Sequence, residues 1–144
     1  LEHKMAVLLG GRAAEQVVFS EISTGAADDL ARATDIARAM VLRYGMSKAL
    51  GNVAYDRERS AFLQPGFPMP QTRDYSEETA HAVDDAVHAL IDQAFECAVA
   101  ILQLNRALLD HTAEELLKTE TLNQPQIEAL KREIVTGSPQ SAVT

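Results

Sequence analysis

One cysteine in 144 residues, Cys97, excludes a disulfide framework. It falls in a helical pattern beside Ala94, Ala98 and Ile101, so it reads as a small, half-buried thiol in a reducing compartment, with no His–Asn arrangement to make it a nucleophile. Long hydrophobic runs are absent too. Although 47% of the residues are hydrophobic, no apolar run comes near the roughly 18 residues of a membrane span. The expectation is one soluble globular domain with a real core and no transmembrane or signal segment. Positive charge is scarce: 13 Lys and Arg against 21 Asp and Glu leave a net charge of -8, which argues against nucleic-acid binding, since that draws its affinity from neutralised phosphates. Proteins or peptides are the expected partners. Only four histidines occur, His3, His81, His88 and His111, and none opens an HExxH helix.

What is present is mostly helical periodicity. Leu1, Met5, Leu8, Leu9, Ala13 and Val17 recur at helical spacing, predicting one amphipathic helix up to about Phe19. Gly10 and Gly11 interrupt it at a cost of about 1 kcal/mol each relative to Ala, and close approach of another backbone is the expected reason. Arg12 and Glu15 are spaced for a solvated i,i+3 pair. A second helix should start between Thr24 and Asp28 and run to Tyr44, burying Leu30, Ala33, Ala37, Met40, Val41 and Tyr44, with Gly45 as its stop. Its polar side, with Asp28, Arg32, Asp35, Arg38 and Arg43, reads as a solvated face.

From Met46 to Arg73 the pattern shortens. Val53-Ala54-Tyr55 and Ala61-Phe62-Leu63, separated by charged residues, predict a small β-hairpin. Gln64 to Pro70 holds three prolines, which excludes helix and predicts an exposed loop, with Phe67 and Met69 as candidates for peptide or subunit contact or for folding back on the core. Asp74 with Glu77, or Ser76 in its place, should cap a long helix whose seam is Val83, Val87, Leu90, Ile91, Ala94, Ala98, Ile101 and Leu102. A break at Asn105-Arg106 and a further apolar pattern at Leu108, Leu109, Leu116 and Leu117 predict a long C-terminal helical hairpin. Asn123-Gln124-Pro125-Gln126 reads as the capped start of a last short helix, and residues 136–144 as a disordered tail.

Two patterns carry ligand chemistry. His81, Asp84, Asp85 and His88 share a helical face, but the two histidines lie about 10 Å apart along it, so a solvent-facing strip is the better reading. His3 and His111 have no partner at ligand spacing. The segment Ser23-Thr24-Gly25-Ala26-Ala27-Asp28-Asp29-Leu30-Ala31-Arg32-Ala33-Thr34 sets two carboxylates at the start of a helix beside a turn. Such carboxylates can serve a metal; taken alone, Asp29 would more simply stabilise the helix N-terminus.

That segment, STGAADDLARAT, and the preceding Gly10-Gly11-Arg12-Ala13-Ala14-Glu15 closely resemble the peptidase domain of FtsH-type ATP-dependent zinc metalloproteases. The resemblance continues through Arg73-Asp74-Tyr75-Ser76, Glu77-Glu78-Thr79-Ala80, Asn105-Arg106 and Glu120-Thr121-Leu122. It implies that Asp29 is the third zinc ligand, the first two being histidines of an HExxH helix upstream of both blocks. Asp28 would support it or face solvent, the glycine pair would let its helix lie against the catalytic one, and the edge of the small β element would receive extended substrate. It implies a mainly α fold in which residues 1–135 are the downstream portion of the peptidase domain. The parent would be a membrane-anchored hexamer, working at the cytoplasmic face, in which a separate ATP-binding module feeds unfolded or membrane proteins to zinc sites. With no HExxH, the chain contains no catalytic residue of its own and is expected to be inactive alone. The alternative is a non-catalytic helical module for protein interaction or oligomerisation.

Overall fold

The computed structural model describes residues 1–21, 23–56 and 75–135. Among these it is helical: α1 (Glu2–Leu8), α2 (Gly10–Phe19), a single 3-10 turn (Thr24–Ala26) running into α3 (Ala27–Leu42), α4 (Glu77–Leu104), α5 (Arg106–Thr119) and α6 (Gln124–Glu133).

The periodicity of α4 is what organises the others. Its 28 residues put Ala80, Val83, Val87, Ala94 and Ala98 on one buried face, and α1, α2 and α3 all pack against it. The core they close contains Met5, Leu9, Ala33, Ala37, Met40, Val41, Val83, Val87 and Ala94. Alanine is frequent there because each methyl lets neighbouring helix backbones approach closely while still excluding water. By length and composition α4 could cross a membrane, with a most apolar window of mean hydropathy 1.3. Its seam is instead spent on three helices, and its outer face carries exposed Asp84, Asp85, Asp92 and Glu96, which lipid would penalise heavily.

The first expected helix is two. They meet at Leu9, whose ψ of -5° bends the chain, while the hydrogen-bond ladder continues through Leu9 N to Met5 O and Ala13 N to Leu9 O, both 2.9 Å. The bend directly precedes the glycine pair. No close approach accounts for those glycines within the described residues, since a Cβ on Gly10 or Gly11 would meet nothing within 4 Å. α3 follows expectation except at its end: Tyr44 lies beyond the helix and is 55% exposed. Gly45, at φ +61°, turns the chain as expected, and a Cβ there would press on Val53 at 3.4 Å. The Leu42 carbonyl, left open at the helix end, accepts from the amides of Tyr55 and Asp56 at 2.8 and 3.1 Å.

Val53 to Asp56 form no strand; the β pairing among the described residues is one bridge, Ser47 with Gly51. The second arm of the expected β-hairpin, the Phe67 and Met69 contacts, the Asp74 cap and the 136–144 tail lie outside the described residues. Ser76 caps α4, its Oγ accepting from Thr79 N at 3.2 Å. In the C-terminal half α5 meets α4 and α6 alike, and with α6 it forms a hairpin whose outer ends come together. The Asn105 side chain closes that hairpin, donating to Val135 O at 3.1 Å and accepting from Val135 N at 2.8 Å. Neither α5 nor α6 has a buried residue. Asn123 and Gln126 form the expected capping box at the start of α6.

Met5 is fully buried against α3 and α4, whereas Val7, two residues on, is 79% exposed. Met5→Ala is expected to lower unfolding stability by about 2–5 kcal/mol, and Val7→Ala by less than about 0.5 kcal/mol. Urea titrations of the two variants check this, and equal losses would contradict the placement of the core.

Candidate metal-ligand site

The two sequence blocks are joined by one side chain. Glu15, on α2, accepts the backbone N–H of Ser23 at 2.9 Å on one carboxylate oxygen and the Ser23 hydroxyl at 2.5 Å on the other. The same hydroxyl oxygen accepts from Gly25 N at 3.1 Å, so Ser23 is the N-cap of the 3-10 turn. α2 has already ended in Ser20, which takes the left-handed conformation at φ 58°. The turn is thus pinned at its start and passes directly into α3.

Glu15 is therefore not mainly the partner of Arg12. Its carboxyl is held below the ordinary carboxylate range by the Ser23 hydroxyl first and the Ser23 amide second; slight desolvation opposes this, and the Arg12 charge adds a smaller push downward.

The pinned turn delivers Asp28 and Asp29 to the first turn of α3, where they diverge. Asp29 precedes Ala33, Ala37 and Val41 at successive steps of four, so it heads the row that packs into the core, and it is half-buried. Asp28 is exposed on the face that carries Arg32 and Asp35. Capping does not occupy Asp29, because Ser23 caps the turn and Ala26, the N-cap residue of α3, provides no side-chain bond. A half-buried carboxylate at a helix N-terminus, with no protein partner among the described residues, offers an oxygen donor for a cation.

It offers one donor only. Among the described residues no three of His, Cys, Asp and Glu come together as a metal set. His81, Asp84, Asp85 and His88 are all exposed along α4, and His3 and His111 lie apart on α1 and α5. Cys97 is half-buried, as expected.

Residues 1–130 match the family model described as peptidase family M41. The chain belongs to that family. Over 144 residues, 99% of this chain, it is 48% identical to an "ATP-dependent zinc metalloprotease FtsH" of Paraburkholderia phymatum, covering 22% of that relative. A protein of the same description from Methylibium petroleiphilum is 51% identical over 131 residues, 88% of this chain and 21% of the relative. Another, from Chloroflexus aggregans, is 46% identical over 134 residues, 91% of this chain and 20% of its own length. The chain thus spans about a fifth of the length of the relatives it matches.

Sequence reasoning singled out Asp29 and missed the role of Glu15. A signal existed: Ser23 stands at a cap position and Glu15 within reach of a short loop, but Arg12 offered a nearer partner.

Because Glu15 has a lowered pKa in the folded chain, the tie is fully present above the ordinary Glu value of 4.5 and is lost as pH falls through the lower folded value. Amide exchange at Ser23 and Gly25, corrected for intrinsic rates, is expected to lose protection on acidification through that window in the parent chain. In Glu15→Gln it should be weakly protected at every pH. A wild-type profile as flat as the variant's would contradict the tie.

Proposed function

We propose that this chain is the downstream portion of the peptidase domain of an ATP-dependent zinc metalloendopeptidase, with Asp29 as a zinc ligand. The observation that carries this is the placement of Asp29: half-buried, at the head of the core-facing row of α3, on a turn pinned by Glu15 and Ser23. One of its carboxylate oxygens fits one position of a zinc site, the others being assigned to an HExxH helix that precedes this segment in the complete enzyme. Zinc in such a site supplies the Lewis acidity that activates water for attack on the peptide carbonyl.

The chain's own residues hold and orient. Asp29 fixes the ion from the α3 side, Ser23 and Glu15 fix Asp29, and Asp28 stays in solvent. The open space over Gly10 and Gly11 leaves room for the helix that brings the histidines. The same reading places ATP hydrolysis in a separate module, unfolded or membrane proteins as substrates, and a membrane-anchored hexamer at the cytoplasmic face as the assembly.

A role in assembly, the alternative reading, draws on one observation of its own. α5 and α6 bury no residue, and Leu116 and Leu117 are 44% and 85% exposed. Sedimentation of the isolated chain is expected to show self-association at high concentration, relieved by Leu116→Gln with Leu117→Gln; a clean monomer would contradict it.

The chain by itself, supplied with zinc, is expected to leave casein intact, since one carboxylate gives no tight site; metal-dependent cleavage would overturn the assignment of ligands. In the complete enzyme, Asp29→Asn removes the anionic oxygen while keeping size and capping ability. Zinc content and proteolysis should fall about 10- to 100-fold or more, with ATP hydrolysis retained. Asp28→Asn should keep both. The reverse pattern would mean the wrong carboxylate is assigned, and no effect from either would sink the metalloprotease reading of this motif.

A further inference from the structure

We propose that Arg106 is a positioning residue for the Asp29 site, acting through the end of α2. The inference rests on the reading of Asp29 as a metal ligand. Its Nη1 donates to the carbonyl oxygen of Val17 at 2.6 Å, across 89 positions of sequence. Val17 lies in the last turn of α2, where carbonyls have no partner further along the helix; the Gln16 carbonyl is taken by Ser20 N at 3.1 Å, and Arg106 takes the next. A cation there also suits the negative end of the helix dipole.

The guanidinium is itself aimed. Its Nε donates to both carboxylate oxygens of Asp110, at 3.0 and 2.9 Å, one turn along α5. Asn105, its neighbour, anchors the far end of α6 through Val135 and bonds back to Ile101 O at 2.9 Å. The Asn105-Arg106 elbow therefore fastens an otherwise coreless α5–α6 hairpin to α2.

Val17 is two residues beyond Glu15, and the chain from Val17 must return within six residues to place Ser23 on the Glu15 carboxylate. Arg106 holds one end of that short loop and Glu15 the other. Releasing the Arg106 end leaves the last turn of α2 free to fray, and with it the direction from which Glu15 meets Ser23 and so the turn that sets Asp29. Nothing in this chain of contacts requires Arg106 to touch substrate or metal.

The test uses the complete enzyme, comparing Arg106→Ala, Arg106→Lys, Glu15→Gln and the Arg106→Ala/Glu15→Gln double variant. Two readouts are taken: deuterium uptake at the amides of Ser23 and Gly25, and kcat and KM for casein. Arg106→Ala is expected to speed uptake at both amides and to lower kcat about tenfold, the low end of the range for supporting residues, with KM and ATP hydrolysis unchanged. Arg106→Lys should recover part of both effects. The double variant should be no worse than Glu15→Gln alone, because both act on one loop. Unchanged uptake in Arg106→Ala, or losses that multiply in the double variant, would overturn the proposal. Should Arg106→Ala not assemble, Arg106→Lys decides: faster uptake at Ser23 and Gly25 supports the role, and wild-type uptake overturns it. Failure of the underlying reading shows separately, as normal zinc content in Asp29→Asn, and leaves the exchange result standing.

Discussion

The carboxylate of Glu15 holding both the amide and the hydroxyl of Ser23 is the constraint on which the candidate site depends. Without it, the four residues after α2 would be a surface connection free to wander, and the first turn of α3 would start wherever local propensity put it. With it, a charge-assisted pair of bonds sets where the 3-10 turn begins, and the turn leads into α3, whose rotation is held by its buried row Ala33, Ala37 and Val41. That rotation decides which of two adjacent aspartates heads the core-facing row. Asp29 and Asp28 are chemically identical; the difference between a half-buried carboxylate and a solvated one is one step of about 100° around a helix.

The core supports this geometry from the other side. Ala33 and Ala37 on α3 are fully buried, Val83 and Val87 on α4 nearly so, and the two helices pack directly against each other, leaving α3 little freedom to rotate. α1 contributes Met5, and Leu9 at the α1–α2 bend closes the layer; both are large and essentially without solvent contact. The site is therefore fixed by hydrogen bonds at its exposed edge and by packing beneath. The C-terminal hairpin stands outside that core, which is why a few polar bonds at Asn105 and Arg106 carry its attachment.

Much of this was legible in the order of residues, and for identifiable reasons. Helical periodicity marked the buried faces of α3 and α4, Gly45 marked a stop because only a left-handed turn follows there, and Asn123 with Gln126 marked a start through reciprocal capping. Asp29 stood out because the block around it is distinctive, and the structure places it, as its helix-start position led one to expect, in the first turn of α3. What escaped depended on contacts between segments distant in sequence or on partner choice. The apolar pattern of α5 showed a need for cover that neither α4 nor α6 meets among the described residues, since α5 buries no residue. Tyr44 and Ile101 kept helical spacing yet lie beyond the reach of the neighbouring helices, at 55% and 44% exposure. Glu15 had two possible partners, and spacing alone favoured Arg12; only the loop between the blocks brings Ser23 closer.

The most direct test is anomalous diffraction at the zinc edge from crystals of the complete enzyme. The expected result is one zinc per chain with a carboxylate oxygen of Asp29 about 2.0–2.2 Å from the metal, while Glu15 remains bonded to Ser23 and Asp28 remains in solvent. Zinc held by Glu15 or Asp28, with Asp29 outside coordination distance, would contradict the assignment made from this fold.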